Sequence, residues 1–138
     1  MALVLDTGVV LALLNAKDRY HRACVELATG TREPLVIPAA ILGEVDYWIA
    51  QRLDPRAWRI VIEDIDSGAY LLEPTTEEDL VRTVSLQDQY PSLSLGFVDA
   101  AVIAVCERLG ERKVATVDRR DFSVVVPRHA PYLEILPA

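Results

Sequence analysis

Short apolar runs alternate with longer stretches in which apolar residues recur every three or four positions, and this alternation continues along the whole chain. Residues 2–5 form a continuous apolar run closed by Asp6, as expected of a buried parallel strand. Thr7 can cap a helix over residues 9–14, and residues 19–28 predict a second helix closed by Thr29-Gly30. A second strand falls at Leu35-Val36-Ile37. From Pro38 to about Arg52, Ile41, Leu42, Val45, Trp48 and Ile49 return at helical spacing. Asp54-Pro55 is a helix start, leading to Ile65. Residues 69–72 predict a third strand between Ser67-Gly68 and Pro74. Thr75-Thr76-Glu77-Glu78 opens the next helix in capping-box style, and Tyr90-Pro91 ends it. After a loop at 92–96, an apolar helix runs over 97–109 to Gly110, a residue suited to a left-handed cap. Residues 113–116 and 132–136 supply a fourth and a fifth strand. Strands alternating with helices predict an α/β fold with a mainly parallel sheet, arranged as one domain over residues 1–138.

Four acids break this pattern. Asp6 and Asp118 immediately follow apolar strands, Glu44 lies among Ile41, Val45 and Trp48, and Asp99 shares a helical row with Val102, Ile103 and Cys106. Ionised carboxylates lose several kcal/mol of hydration when buried, so they occur there paired or bound to a cation. Lys and Arg are scarce beside the first three acids, which points to a hard divalent cation with oxygen ligands, Mg2+ or Mn2+. In open parallel sheets, sites lie beyond the carboxyl ends of the strands at a switch point, which brings Asp6 and Asp118 together. Glu44, expected two turns into its helix, and Asp99 then point inward. Two competitors remain at this level. Asp46 could replace Glu44, and Asp121, three residues after Asp118, could face the site instead.

Charge changes the picture only locally. The chain has 138 residues, with 14 Lys plus Arg against 21 Asp plus Glu, a net −7 that argues against a broad nucleic-acid surface. The basic residues that remain cluster at 17–22 and around Asp118, so Lys17, Arg19, Arg119 and Arg120 are the candidates for phosphate contact. Cys24 and Cys106 sit in helical patterns without metal-ligand spacing and read as small core residues. No apolar run approaches the roughly 18 residues of a membrane span, and Asp6 interrupts the N-terminal apolar stretch, so the expectation is a cytosolic chain without a secretory signal. His21 and His129 are remote from the acids and read as packing or surface residues.

Four segments in order resemble the PIN-domain ribonucleases, and among them the VapC toxins of bacterial toxin–antitoxin pairs. They are Val4-Leu5-Asp6-Thr7-Gly8, Ile37-Pro38 through Glu44-Val45-Asp46-Tyr47, Gly96-Phe97-Val98-Asp99-Ala100-Ala101, and Ala115 through Phe122. Each alone is weak; the four in sequence carry the likeness across nearly the whole chain. The resemblance implies a five-stranded sheet of order 3-2-1-4-5 and an acidic site of Asp6, Glu44, Asp99 and Asp118. In it Asp6, Asp99 and Asp118 hold Mg2+ or Mn2+, with Thr116, Thr7 and Asp121 as polar neighbours. It further implies cleavage of RNA of the transfer or ribosomal class, a homodimer, and inhibition by a small VapB-like antitoxin. One departure is Gly8, where many relatives carry serine.

Such ions lower the pKa of bound water and neutralise phosphate charge, the two needs of phosphodiester hydrolysis. A haloacid-dehalogenase phosphatase is the rival enzyme, but it requires a second aspartate where Gly8 stands. The non-enzymatic rival is a PIN-fold module that binds RNA or antitoxin without turnover. For assembly, the helices around Leu42, Trp48, Ile49 and Trp58 carry more large apolar residues than one small sheet needs to cover. Most of them read as core, and a surplus exposed as a patch would mark a protein interface.

Overall fold

A computed structural model describes residues 1–138. Five short parallel strands, β1 (Leu3–Leu5), β2 (Leu35–Pro38), β3 (Tyr70–Glu73), β4 (Lys113–Ala115) and β5 (Glu134–Leu136), form one sheet in the order β3-β2-β1-β4-β5. Every pairing is parallel, with Val4 opposite Val36 on one side and Val114 on the other. The helices are α1 (Thr7–Leu14), α2 (His21–Gly30), α3 (Leu42–Arg52), α4 (Arg56–Asp66), α5 (Glu77–Gln89), α6 (Phe97–Leu109) and α7 (Arg119–Val124). The chain steps outward from β1 to β3, then crosses back to β4. Right-handed crossovers place helices of opposite travel on opposite faces. Accordingly α1 packs with α2 and α3, while α6 packs with α5 and α7.

The central elements are fully apolar because they are covered on both sides. All of β1 is buried, and α6 is buried continuously from Ala100 to Cys106. Gly110 closes α6 in the left-handed region at φ 69°, the conformation glycine adopts without cost. At the same open end of the α5–α6 hairpin, Thr76 and Asp79 complete the capping box of α5, and Arg108 near the end of α6 reaches Asp79. Asp6 extends the central pairing by one bond, its N–H donating to the Ala115 carbonyl at 2.9 Å. That bond fixes where β1 ends beside β4, at the switch point.

Several expectations need revision. The cap of α1 is Asp6 and not Thr7. A 3-10 turn at Ala39–Ile41 delays α3 to Leu42, so Glu44 is in its first turn. The helix α7 was not predicted, being only six residues long. The large apolar residues of α3 and α4 named above are core, as expected of most of them: Ile49 is buried, and Leu42, Trp48 and Trp58 pack against the same cluster. His21 and His129 each bond a backbone carbonyl, of Ala12 and Glu111, at 2.7 Å.

Candidate active site

Four helices start at the carboxyl end of this sheet, and each carries an acid at its first turn or cap. Asp6 caps α1, with Oδ1 accepting the Thr7 N–H at 2.8 Å. Asp118 caps α7 and accepts from the Arg120 N–H at 3.4 Å. Asp99 and Glu44 lie in the first turns of α6 and α3. Helix N-termini carry partial positive charge, so each end favours its acid by about 0.3–1 kcal/mol. All four acids line one pocket of about 270 Å³, together with Thr7, Gly8, Leu11, Trp48 and Arg52.

Two threonines tie the acids together. Thr116, buried at the end of β4, donates its hydroxyl to Asp6 Oδ2 at 2.8 Å and accepts the Asp118 N–H at 3.1 Å. Thr7 donates its hydroxyl to Glu44 Oε1 at 2.8 Å, joining α1 to α3. The surroundings of the acids differ more than the sequence pattern suggests. Asp6 is only 6% exposed and Asp99 is half-buried, whereas Glu44 and Asp118 are exposed on the rim. Glu44 was expected to point inward. The 3-10 turn ahead of α3 shifts it to the first turn, where the pocket opens to solvent.

Burial raises the Asp6 pKa; bonds from Thr116 and Thr7 oppose this, while the charges of Glu44 and Asp118 add to it. Everything acting on Asp99 raises it, burial first and then Asp6, Asp121, Asp118 and Glu44, to about 7. None of the ion pairs in the chain includes any of these acids. A carboxylate cluster with no ion pair to a basic side chain favours a positive ligand, and the acids with their threonines offer it hard oxygen donors. As the side chains stand, no three acids form a ready-made metal cage. Binding an ion therefore includes drawing them together. The donor set fits a hard divalent cation.

The remaining candidates divide. Asp46 is exposed and does not line the pocket; Asp121 is half-buried and acts on Asp99 through its charge. Lys17 and Arg120 are exposed outside the pocket, and the Arg119 guanidinium bonds the Pro137 carbonyl at 2.8 Å. Arg19 stacks on Tyr20 in an adjoining cleft. Sequence reading missed Arg52 and Leu11 and treated Trp48 only as an apolar residue. The spacing Glu44, Trp48, Arg52 puts all three on one face of α3, a signal that was available. Gly8 is explained sterically: a Cβ there would lie 2.5 Å from Cγ2 of Val117, so valine occupies the space that a serine side chain would enter.

Comparison with known proteins agrees with this arrangement. A relative, Ribonuclease VapC26 of Mycobacterium tuberculosis, is 26% identical over 135 residues, covering 98% of this chain and 100% of that protein. The crystal structure of VapC20 from the same organism, a sarcin–ricin loop cleaving toxin, superposes with a TM-score of 0.76 at 21% identity. It covers 82% of this chain and 87% of that one. DNA-bound VapBC from Salmonella typhimurium gives 0.68 at 19% identity, over 98% and 96% of the two chains. The PIN domain family model matches residues 3–126, and with the parallel sheet in order 3-2-1-4-5 and acids at its switch point, this chain belongs to the PIN domain family, resembling its VapC-type members.

Proposed function

We propose that this chain is a metal-dependent endoribonuclease, the toxin of a toxin–antitoxin pair, hydrolysing RNA phosphodiester bonds at the acidic pocket. The observation that carries the reading is the pocket itself: four acids gathered at helix starts, none in an ion pair with a basic side chain, with Asp99 raised by burial and by its acidic neighbours. Asp6, Asp99 and Asp118 would hold Mg2+ or Mn2+, which supplies charge neutralisation at the phosphate and an acidified water. The rest is done by the chain. Thr7 and Thr116 fix both oxygens of Asp6, so that ligand is oriented before anything binds. Glu44, exposed in the pocket lining, has Oε1 held by Thr7, which leaves Oε2 available to accept a proton from water. Names of the VapC relatives support RNA as the substrate, and the toxin–antitoxin complexes among its structural neighbours support a VapB-like partner. An arginine from that partner, reaching two of the carboxylates, would inhibit by taking the place of the cation.

Cleavage of a structured RNA, ribosomal or transfer, should require Mg2+ or Mn2+, stop with EDTA, and be lost in Asp6→Asn. Cleavage that survives both EDTA and Asp6→Asn would remove the acids from the chemistry. Tight RNA or antitoxin binding with no cleavage under any metal would instead select the non-enzymatic module.

A further inference from the structure

The acidic pocket opens sideways into a second cleft of about 290 Å³, and Gly8, Leu11, Trp48 and Arg52 line both. The cleft holds two aromatic rings, each with a guanidinium stacked on it. Arg52 Cζ lies 4.2 Å from the Trp48 ring centroid, and Arg19 Cζ lies 4.8 Å from that of Tyr20. Both arginines are exposed and neither joins an ion pair, although Arg52 borders the carboxylates. Polar groups complete the lining. Asn15 uses its Oδ1 on the Lys17 N–H, which leaves its amide N–H groups free, and Asp18 accepts the Tyr20 N–H through one oxygen.

We infer that this cleft receives one unstacked nucleobase of the RNA strand whose phosphate lies at the acids. Single-stranded bases are recognised by stacking on aromatic rings or arginine planes, with hydrogen bonds at their edges, and the cleft supplies all of these. Its volume is at the small end for ligand pockets, suited to one nucleoside and too narrow for a duplex. Its continuity with the acids puts the base next to the scissile phosphate. Two local cations facing the strand also reconcile a chain of net charge −7 with a polyanionic substrate. The inference rests on the nuclease reading above and gives that site a specificity element.

The probe is the indole N–H resonance of Trp48 in 15N-labelled protein carrying Trp58→Phe, which leaves Trp48 as the sole tryptophan. With Mg2+ present, nucleoside 5′-monophosphates should shift that resonance saturably, while ribose 5-phosphate, which lacks the base, should not. Arg52→Gln should raise the half-saturating nucleotide concentration about fivefold or more, the lower end of what losing one base stack costs. In RNA cleavage, Arg52→Gln should raise KM more than it lowers kcat. Trp48→Leu should have the same effect; Trp48 packs on the core, so if that variant fails to fold, Arg52→Gln, an exposed position, decides alone. Equal shifts from nucleotides and ribose 5-phosphate would overturn the inference, as would a response to N-acetylphenylalaninamide but not to nucleotides, which gives the cleft to a protein side chain. Wild-type cleavage is read in parallel. Cleavage without a base-dependent shift sinks this inference alone, whereas a base-dependent shift without cleavage sinks the nuclease reading alone.

Discussion

Asp6 and Glu107 are both carboxylates withdrawn from water, but they are treated in opposite ways. On the seam between α5 and α6, Arg82 forks onto Glu107 through two bonds of 2.8 and 3.0 Å, and the Arg128 N–H adds a third at 2.7 Å. Beside it, Arg108 bridges Asp79 and Glu73. Burial is the largest single influence on Glu107 and raises its pKa; the bonds and charges of Arg82 and Arg128 together outweigh it and hold the carboxyl below its ordinary value. In the acidic pocket, Asp6 is bonded by the Thr116 hydroxyl and the Thr7 N–H, and Asp99 feels burial and the charges of four other acids. Neither is in an ion pair with a basic side chain, and both are raised. The comparison separates two uses of a carboxylate. Where an arginine neutralises it, the acid holds the fold; where no side chain does, the fold has kept a place for something else.

Breaking each region should therefore have opposite consequences. Asp6→Asn and Asp99→Asn should each lower RNA cleavage by more than about a hundredfold, beyond the ten- to hundredfold loss typical of a ligand's hydrogen-bonding neighbour. Thr116→Val should fall within that smaller range. In metal-free protein the two aspartate variants should melt no lower than wild type, since repulsion is relieved. An Asp99→Asn chain with wild-type cleavage would erase the distinction.

Arg82→Met should destabilise the fold by about 3 kcal/mol, the lower end of the cost of breaking a buried ion pair, because Glu107 then loses its charge partner and keeps only the Arg128 N–H. Denaturant unfolding measures this, and added Mg2+ should leave the difference unchanged. A loss below about 1 kcal/mol would mean that the seam tolerates an unpaired acid as well as the pocket does.

The two regions should also answer pH differently. A carboxyl whose pKa rises on folding holds its proton more tightly in the native state. The stability contributed by Asp99 is thus fully present below its ordinary value of 3.8 and is lost as pH rises through about 7. Glu107, with a lowered pKa, contributes stability above its ordinary value of 4.5 that is lost as pH falls through its lower folded value. Metal-free protein should consequently melt lower at pH 8 than at pH 6, and millimolar Mg2+ should remove most of that difference by binding the native state. Equal melting temperatures at the two pH values without metal would count against a raised Asp99.

The smallest expected effect concerns Gly8. Gly8→Ala should cost about 1–3 kcal/mol by crowding Val117, and Val117→Ala in the same chain should recover most of it. Urea unfolding of the single and double variants gives the coupling. Additive losses would mean that the two side chains do not compete for space.

What the sequence disclosed follows the range of the forces involved. The bounds of α6 were legible because its apolar row begins beside Asp99 and ends at Gly110, a left-handed cap. Strand order came from the family likeness, since pairing between β1 and β4 joins residues more than a hundred positions apart. The helix α7 escaped because six residues are too few to display a period. Glu44 was misjudged as inward because Pro38 resembles a helix start, and nothing local shows that a 3-10 turn intervenes. The Arg82–Glu107 pair spans 25 positions and leaves no pattern that distinguishes those charges from solvated ones. The Trp48–Arg52 stack, by contrast, was open to reading at four-residue spacing.

The central claim is that the acidic pocket is built for a divalent cation, and direct Mn2+ binding tests it most simply. Electron paramagnetic resonance of free Mn2+ should show wild-type chain removing at least one ion per protein at neutral pH. Proton release should accompany uptake near pH 6–7, as Asp99 gives up its proton. Asp6→Asn and Asp99→Asn should both lose that uptake while Arg82→Met, where folded, retains it. No uptake by wild type at millimolar Mn2+, or equal uptake by Asp99→Asn, would contradict the account.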